Sequence, residues 1–298
     1  MVTKASKTVS AQRFAAVTGA SASDAQQYLR DTNYRLEAAI DLYFAQQAAG
    51  PRLSSAQEKQ VVHSLERLFD DYRDPHAETD VIEAEGALQL FEDLQVDVAS
   101  VTVLPLSYYL NAPSLGHFTK QGFVDGWMRL GIAPDLLGSP DKPKILQRMQ
   151  QSIPEIFDAF QSNSPALPLL GKSAGDSSQK GLYTTVYEYT FLFARSEGQK
   201  NLPLQVAVTF WDLLIPYAPS FDSNGQRTGK PSFTAHQFSL WKQYLSEVAH
   251  AQIVSKDTWS QFLEFTYEID HQFQQHDFEA AWPSVIDEFV EWARKQIS

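Results

Sequence analysis

Not one cysteine occurs in the 298 residues. Disulfides, zinc-dependent RING units, thiol proteases and enzymes that carry a modifier as a thioester are therefore excluded within this chain. Positive charge is scarce as well. The 24 Lys and Arg are outnumbered by 36 Asp and Glu, leaving a formal net charge of −12. Such a surface repels phosphate backbones, so no nucleic acid is expected as a partner, and a basic protein face is. Long apolar runs are missing too. The stretch Val101-Thr-Val-Leu-Pro-Leu106 is far too short to cross a bilayer, so no membrane association is expected. Met1-Val-Thr-Lys-Ala-Ser-Lys7 leads into no hydrophobic segment, so no signal peptide is expected. What the chain does have is aromatic and apolar material: 19 Phe, 12 Tyr and 6 Trp in a sequence that is 43% hydrophobic. That is enough for one good-sized core and a small satellite domain, and it argues against disorder over most of the length.

Hydrophobic periodicity is helical almost throughout. Residues 10–47 read as three short helices. Ala11, Phe14 and Val17 share a face, and Thr18-Gly19-Ala20 interrupts it. Ser21-Ala-Ser-Asp24 has the form of a capping box, followed by Ala25, Tyr28 and Leu29. A turn near Asn33 leads to a stripe of Leu36, Ala39, Ile40, Tyr43 and Phe44. Residues 48–57 read as a linker. Beyond it run four stripes at helical spacing: Val61, Leu65, Leu68, Phe69 and Tyr72; Ala87, Leu90, Phe91 and Leu94; Val206, Ala207, Phe210, Trp211 and Leu214; and Leu240, Trp241, Tyr244, Leu245 and Val248. Alternating strand patterns are scarce, so the expected class is all-α. Residues 171–181 and 216–232, rich in Gly, Ser, Asp or Pro, read as exposed loops.

Few motifs offer chemistry. Gly171-Lys-Ser173-Ala-Gly175 matches the nucleophile elbow of hydrolases, but Pro168 precedes it and a polar run follows where a strand and a packed helix are required. As a phosphate loop it fails, because Ala166 stands where the first glycine is needed. His271 and His276 lie close in sequence to Asp270 and Asp277, a cluster better read as a solvated loop or helix end than as a metal site. Residues 68–82, followed by a helix to Leu94, have the rhythm of an EF-hand. Arg73, Pro75 and Ala77 interrupt its loop, and no glycine appears until Gly86. Calcium requires oxygen ligands at the odd loop positions and a glycine at the turn, so an EF-like helix pair without calcium is expected. No metal and no cofactor are expected anywhere.

Acidic residues near the C-terminus stand out more. Ser255-Lys-Asp-Thr-Trp259 looks like a helix start, where Asp257 is commonplace. After Pro283, residues Val285, Ile286, Phe289, Val290 and Ala293 form a buried face, leaving Asp287, Glu288 and Glu291 on the other. Local physics accepts this as a solvated acidic face; the functional reading is a patch that receives a basic partner.

Together, Ser255-Lys-Asp-Thr-Trp259, Tyr189-Thr-Phe-Leu-Phe-Ala194, Phe118-Thr-Lys-Gln-Gly-Phe-Val-Asp-Gly126 and the long string from Ala281-Trp-Pro283 to Arg294 resemble the defective-in-cullin-neddylation family. The resemblance covers roughly residues 58–298, the family's potentiating-neddylation domain, and residues 8–48 resemble the ubiquitin-associated (UBA) domain that precedes it. It implies an acidic surface for the winged-helix end of a cullin, built from Asp257, Ala281 and Asp287. It also implies a pocket for the acetylated N-terminal methionine of the neddylation conjugating enzyme, lined by Ala84, Ala87, Val103, Leu104, Ser107, Phe118, Phe193, Phe210 and Leu213. The UBA-like unit would bind ubiquitin through Thr18, Gly19, Leu42 and Tyr43. The implied role is a non-catalytic scaffold, cytoplasmic and nuclear, that holds cullin and conjugating enzyme together. Two other readings stand beside it: a ubiquitin-binding adaptor with no part in transfer, and a hydrolase using Ser173.

Overall fold

The computed structural model describes residues 4–32, 34–40, 43, 53–76, 80–138, 140–165, 181–219 and 233–297. Leu42, the linker residues 48–52, the Gly171–Gly175 motif with its Ser173, and most of the two expected loops lie outside them. The described residues divide into two compact units, 1–61 with 133–139, and 62–132 with 140–298. The all-α expectation holds: β structure among the described residues amounts to two-stranded pairings of two residues each and two isolated bridges.

In the first unit α1 spans Lys4–Thr18 and α2 spans Ala22–Asp31, with residues 36–40 helical after them. Gly19 separates α1 from α2 at φ +70°, a left-handed conformation that glycine adopts without a Cβ penalty. Ser21 caps α2, its Oγ accepting from the Asp24 amide at 3.2 Å. Phe14, Ala25, Leu29 and Ala39 are fully buried, and the Phe14, Tyr28 and Tyr43 rings meet at 5.4–5.6 Å. Val17, expected on the same face as Phe14, is 58% exposed. At 100° per residue, three steps from Phe14 carry it to the edge of a narrow stripe.

α3 spans Ser55–Asp70, so the expected linker ends earlier than its composition suggested. Ser54 and Gln57 form a reciprocal capping box, the side chain of each accepting from the other's amide. Polar residues read as a linker are thus a helix start.

The second unit contains helix–strand–helix segments that meet through their strands. Strand β1 (Val81–Ile82) leads into α4 (Ala84–Asp93); α5 (Val103–Tyr109) is followed by β2 (Phe118–Thr119) and α6 (Lys120–Arg129). β1 and β2 pair antiparallel, Val81 opposite Thr119 and Ile82 opposite Phe118. The long α7 (Lys142–Gln161) comes next. Then α8 (Leu182–Phe193), β3 (Leu202–Pro203) and α9 (Leu204–Leu214) precede α10 (Ala235–Gln243), β4 (Ile253–Val254) and α11 (Lys256–Glu268). Here β3 pairs antiparallel with β4. Helix α12 (Ser284–Gln296) closes the chain.

The region read as EF-like is organised by cations. Lys120 Nζ lies 2.8 Å from Asp70 and 3.3 Å from Asp80, and Arg73 lies 2.6 Å from Asp80. Hydrogen bonds from Arg73 and Lys120 hold the Asp80 carboxyl below the usual range. Two carboxylates that a divalent ion would want already have ammonium and guanidinium partners.

One stripe departs from its expected period. Leu240, Trp241, Tyr244 and Leu245 are buried, whereas Val248 is 44% exposed. The helix widens into a π turn over Tyr244–Val248, with the Ala249 amide reaching Tyr244 O at 2.8 Å. Inserting one residue into the turn rotates everything after it, which moves Val248 off the core face.

The core is aromatic and hydrogen-bonded. Trp211 and Trp259 stack at 5.2 Å, Trp241 and Phe262 at 4.6 Å, and Tyr187 and Trp259 at 4.8 Å. Tyr187 Oη accepts from Trp211 Nε1 at 2.8 Å and donates to Trp259 O at 2.8 Å, while Trp259 Nε1 donates to Tyr187 O at 3.0 Å. These bonds join α8, α9 and α11 and satisfy polar groups that have no access to water.

Two outcomes follow. Tyr187→Phe should destabilise folding by roughly 1–3 kcal/mol, because the indole N–H of Trp211 loses its acceptor in a dry core. A wild-type urea midpoint would contradict this. Calorimetric titration of the full chain with calcium should show no affinity tighter than about millimolar, the weak end for such loops.

Candidate functional site

Asp257 lies in the first turn of α11. Ser255 is the N-cap, its Oγ accepting from the Thr258 amide at 3.0 Å. The Asp257 side chain is exposed, as expected, and its carboxylate faces the positive end of the helix dipole. The buried side of the same helix, Trp259, Phe262, Leu263 and Phe265, enters the core.

Asp287 is different from its sequence reading. It sits in the first turn of α12, but its side chain is only 30% exposed, and Oδ1 lies 2.7 Å from His276 Nε2. The His276 side chain is 1% exposed. The expectation of a solvated His271/His276/Asp270/Asp277 cluster is therefore corrected at His276, while His271 and Asp277 are exposed. The cause is the path of the turn before α12. Asp270 Oδ1 accepts from the Gln272 amide at 2.7 Å, and Oδ2 accepts from the Gln275 amide. Burial raises the Asp270 carboxyl, but the amides of Gln275, Gln272 and Gln274 together hold it below its ordinary value. Phe273, at φ +58° and fully buried, places its carbonyl against Arg294, which donates from Nε at 3.0 Å and Nη2 at 2.6 Å. This closure turns His276 inward.

Ala281 is exposed. Its neighbour Trp282 packs on Phe265 at 6.0 Å and on His276 at 5.8 Å between ring centroids. The turn thus brings Asp287 and Trp282, the residue after Ala281, onto one imidazole. Asp257 is not part of that contact set: it lies eight residues before Phe265, on the order of 12 Å along α11. Glu288 is also engaged, since Tyr244 Oη donates to it at 3.0 Å. Burial first, and then the Glu288 carboxylate, push the Tyr244 hydroxyl up to about 12.

The nine residues expected to line a peptide pocket fall on α4, α5, β2, α8 and α9. Ala87, Val103, Leu104, Ser107, Phe118, Phe193 and Phe210 are buried, Leu213 is half-buried and Ala84 is exposed. They form two groups. Phe118 meets Phe91 of α4 at 5.8 Å, and Phe193 meets Phe210 at 6.4 Å. Tyr189 joins the groups, touching Phe193 at 5.2 Å and Tyr108 of α5 at 5.5 Å while donating to Ala112 O at 2.6 Å. Pro105 sits buried within α5, in its first turn, where a missing amide N–H is tolerated. The Ser107 hydroxyl is buried without a hydrogen-bond partner among the described residues. Leu88 and Leu115 are 56% and 62% exposed, and Gly116 lies against Ala84.

In the first unit, Thr18 Oγ1 donates to Phe14 O at 2.8 Å, which closes the end of α1 and presents Gly19 to solvent. Tyr43 is half-buried against Phe14 and Tyr28. Leu42 lies outside the described residues.

Sequence reasoning missed that His276 engages Asp287 and that Arg294 holds the turn before α12. The bonds that recruit them span eleven and twenty-one residues, and no helical or strand period links positions so separated.

Comparison with known proteins matches residues 166–292 to a family model described as cullin binding, and residues 11–50 to one described as a UBA-like domain. Among curated proteins, the chain is 39% identical to the defective in cullin neddylation protein 1 of Mycosarcoma maydis, over 99% of this chain and 96% of that one. It is 31% identical to the protein of that name from Cryptococcus neoformans, over 95% and 92% of the two chains. The relative of the same name from Pyricularia oryzae is 28% identical over 99% and 95%. The chain belongs to the defective-in-cullin-neddylation family.

Proposed function

We propose that this chain acts in cullin neddylation as a non-catalytic scaffold. It would bind the winged-helix end of a cullin through Asp257, Ala281 and Asp287, and the conjugating enzyme through the apolar pocket between α4, α5, β2, α8 and α9. The observation that carries this reading is the cullin-binding match over residues 166–292, which contains α11, the turn after it and the start of α12. The physical features agree with it. Two carboxylates at helix N-termini flank a small exposed residue on a chain of net charge −12. A small side chain at Ala281 leaves room for a partner's backbone or Lys stem.

The mechanism is proximity. A rigid helical body that holds a cullin lysine against a charged conjugating enzyme turns a slow bimolecular attack into a nearly intramolecular one. With no cysteine, this chain carries no modifier on a thiol itself. Residues 58–298 would form the potentiating unit. Residues 8–48 would bind ubiquitin weakly near Thr18, Gly19, Leu42 and Tyr43, a role supported by the UBA-like match. The site of action would be the cytoplasm and nucleus.

Asp257→Ala, Ala281→Arg and Asp287→Asn should each weaken binding to a cullin C-terminal fragment. The losses should reach about tenfold where the charge pair is desolvated and be smaller at a wet rim. Melting temperatures should stay near wild type for these three. Asp287→Ala should also lower the melt, since it leaves the buried His276 without its acceptor, at roughly 1–3 kcal/mol. Wild-type affinity in all of the first three variants would remove the assignment.

A peptide with the acetylated N-terminus of the conjugating enzyme should bind more tightly than the same peptide with a free amine. Burying an ammonium in an apolar pocket carries a desolvation penalty that acetylation removes. Equal affinities would contradict the pocket.

A further inference from the structure

We infer that His276 is a positioning residue for cullin recognition: it orients the Asp287 carboxylate and seats Ala281 beside it. The inference rests on the proposed cullin-binding role of Asp287. An ionised carboxylate only accepts hydrogen bonds, so the 2.7 Å contact requires the proton on His276 Nε2. That bond occupies Oδ1 and leaves Oδ2 with no partner among the described residues. A carboxylate on a freely rotating side chain would present either oxygen in several rotamers. Here it presents one oxygen in one direction, and the ordering entropy is spent before the partner arrives.

The imidazole can do this because it is buried and packed by three rings. Its side chain is 1% exposed. Phe265 meets it edge-on at 5.8 Å, Phe278 edge-on at 4.7 Å, and Trp282 lies tilted at 5.8 Å. The charged groups around it are Asp287 on α12, Arg294 two turns further along the same helix, and Asp270 and Asp277 in the turn. Arg294 clamps Phe273 O and lies over the Phe278 ring at 5.2 Å, and Asp270 caps the turn's own amides. Asp277 is exposed and accepts from the Glu279 amide at 2.9 Å. Asp287 is therefore the acceptor that the buried ring finds. Because Trp282 packs on the same ring, His276 also sets the path of the chain through Ala281. Two of the three expected contact residues depend on one side chain that itself faces away from the partner.

The test uses the full chain and a cullin C-terminal fragment. His276→Phe keeps a ring of similar size against Phe265, Phe278 and Trp282 but deletes the donor; His276→Gln restores an N–H at nearly the Nε2 position. Affinity should fall about tenfold in H276F, the scale of one hydrogen bond to a charged group. It should return to within about twofold of wild type in H276Q. In an Asp287→Ala background, H276F should cause no further loss of affinity, as a purely structural role would not predict. If Asp287→Ala weakens binding but folded H276F binds like wild type, the positioning role is overturned while the cullin-binding assignment stands. Folded H276Q binding as weakly as H276F would overturn it equally. Wild-type affinity in folded Asp287→Ala would defeat the underlying assignment instead.

Discussion

The hydroxyl of Tyr187 is the point on which the larger unit turns. It accepts from the Trp211 indole and donates to the Trp259 carbonyl, and the Trp259 indole donates back to the Tyr187 carbonyl. Four large polar-edged aromatic side chains, Tyr183, Tyr187, Trp211 and Trp259, are fully buried here. In a dry interior an orphaned N–H or O–H loses more than a formed bond gains. The reciprocal bonds supply partners for Tyr187, Trp211 and Trp259 and join α8, α9 and α11, whereas the buried Trp241 Nε1 beside them has none among the described residues. Burial accordingly drives the Tyr187 hydroxyl well above its ordinary range, so it stays protonated and able to donate.

α11 carries that rigidity outward. Its middle is held by Trp259 and Phe262 within the aromatic stack, its N-terminus offers Asp257, and Phe265 near its C-terminus receives Phe273, His276, Trp282 and Phe289. Asp257 and Asp287 are thus both carried on helices that pack into the core. Tyr189 lies on the same helix as Tyr187 and bridges α5 to Phe193. One helix therefore links the core to the proposed pocket, and another links it to the proposed cullin-facing residues. A scaffold that works by proximity needs both sites held on a stiff frame.

Much of this was legible in order of residues. Helical spacing identified the stripes of α4 and α9, and Ser21 and Ser255 marked true helix starts, because periodicity and capping act within four residues. The linker expectation failed at Ser54–Gln57 because a polar capping box and a polar linker have the same composition until the amides are paired. Val248 failed because a π turn shifts the period without any residue announcing it.

The absence of cysteine, the acidic balance and the family strings were enough to identify the family by themselves, since each depends on residue identity and not on position in space. Only tertiary structure decided that Asp287 is half withdrawn from solvent and held by His276. The reason is physical. Local patterns report which face of an element is apolar, whereas the partner of a carboxylate eleven residues away depends on how a turn is closed by Phe273 and Arg294.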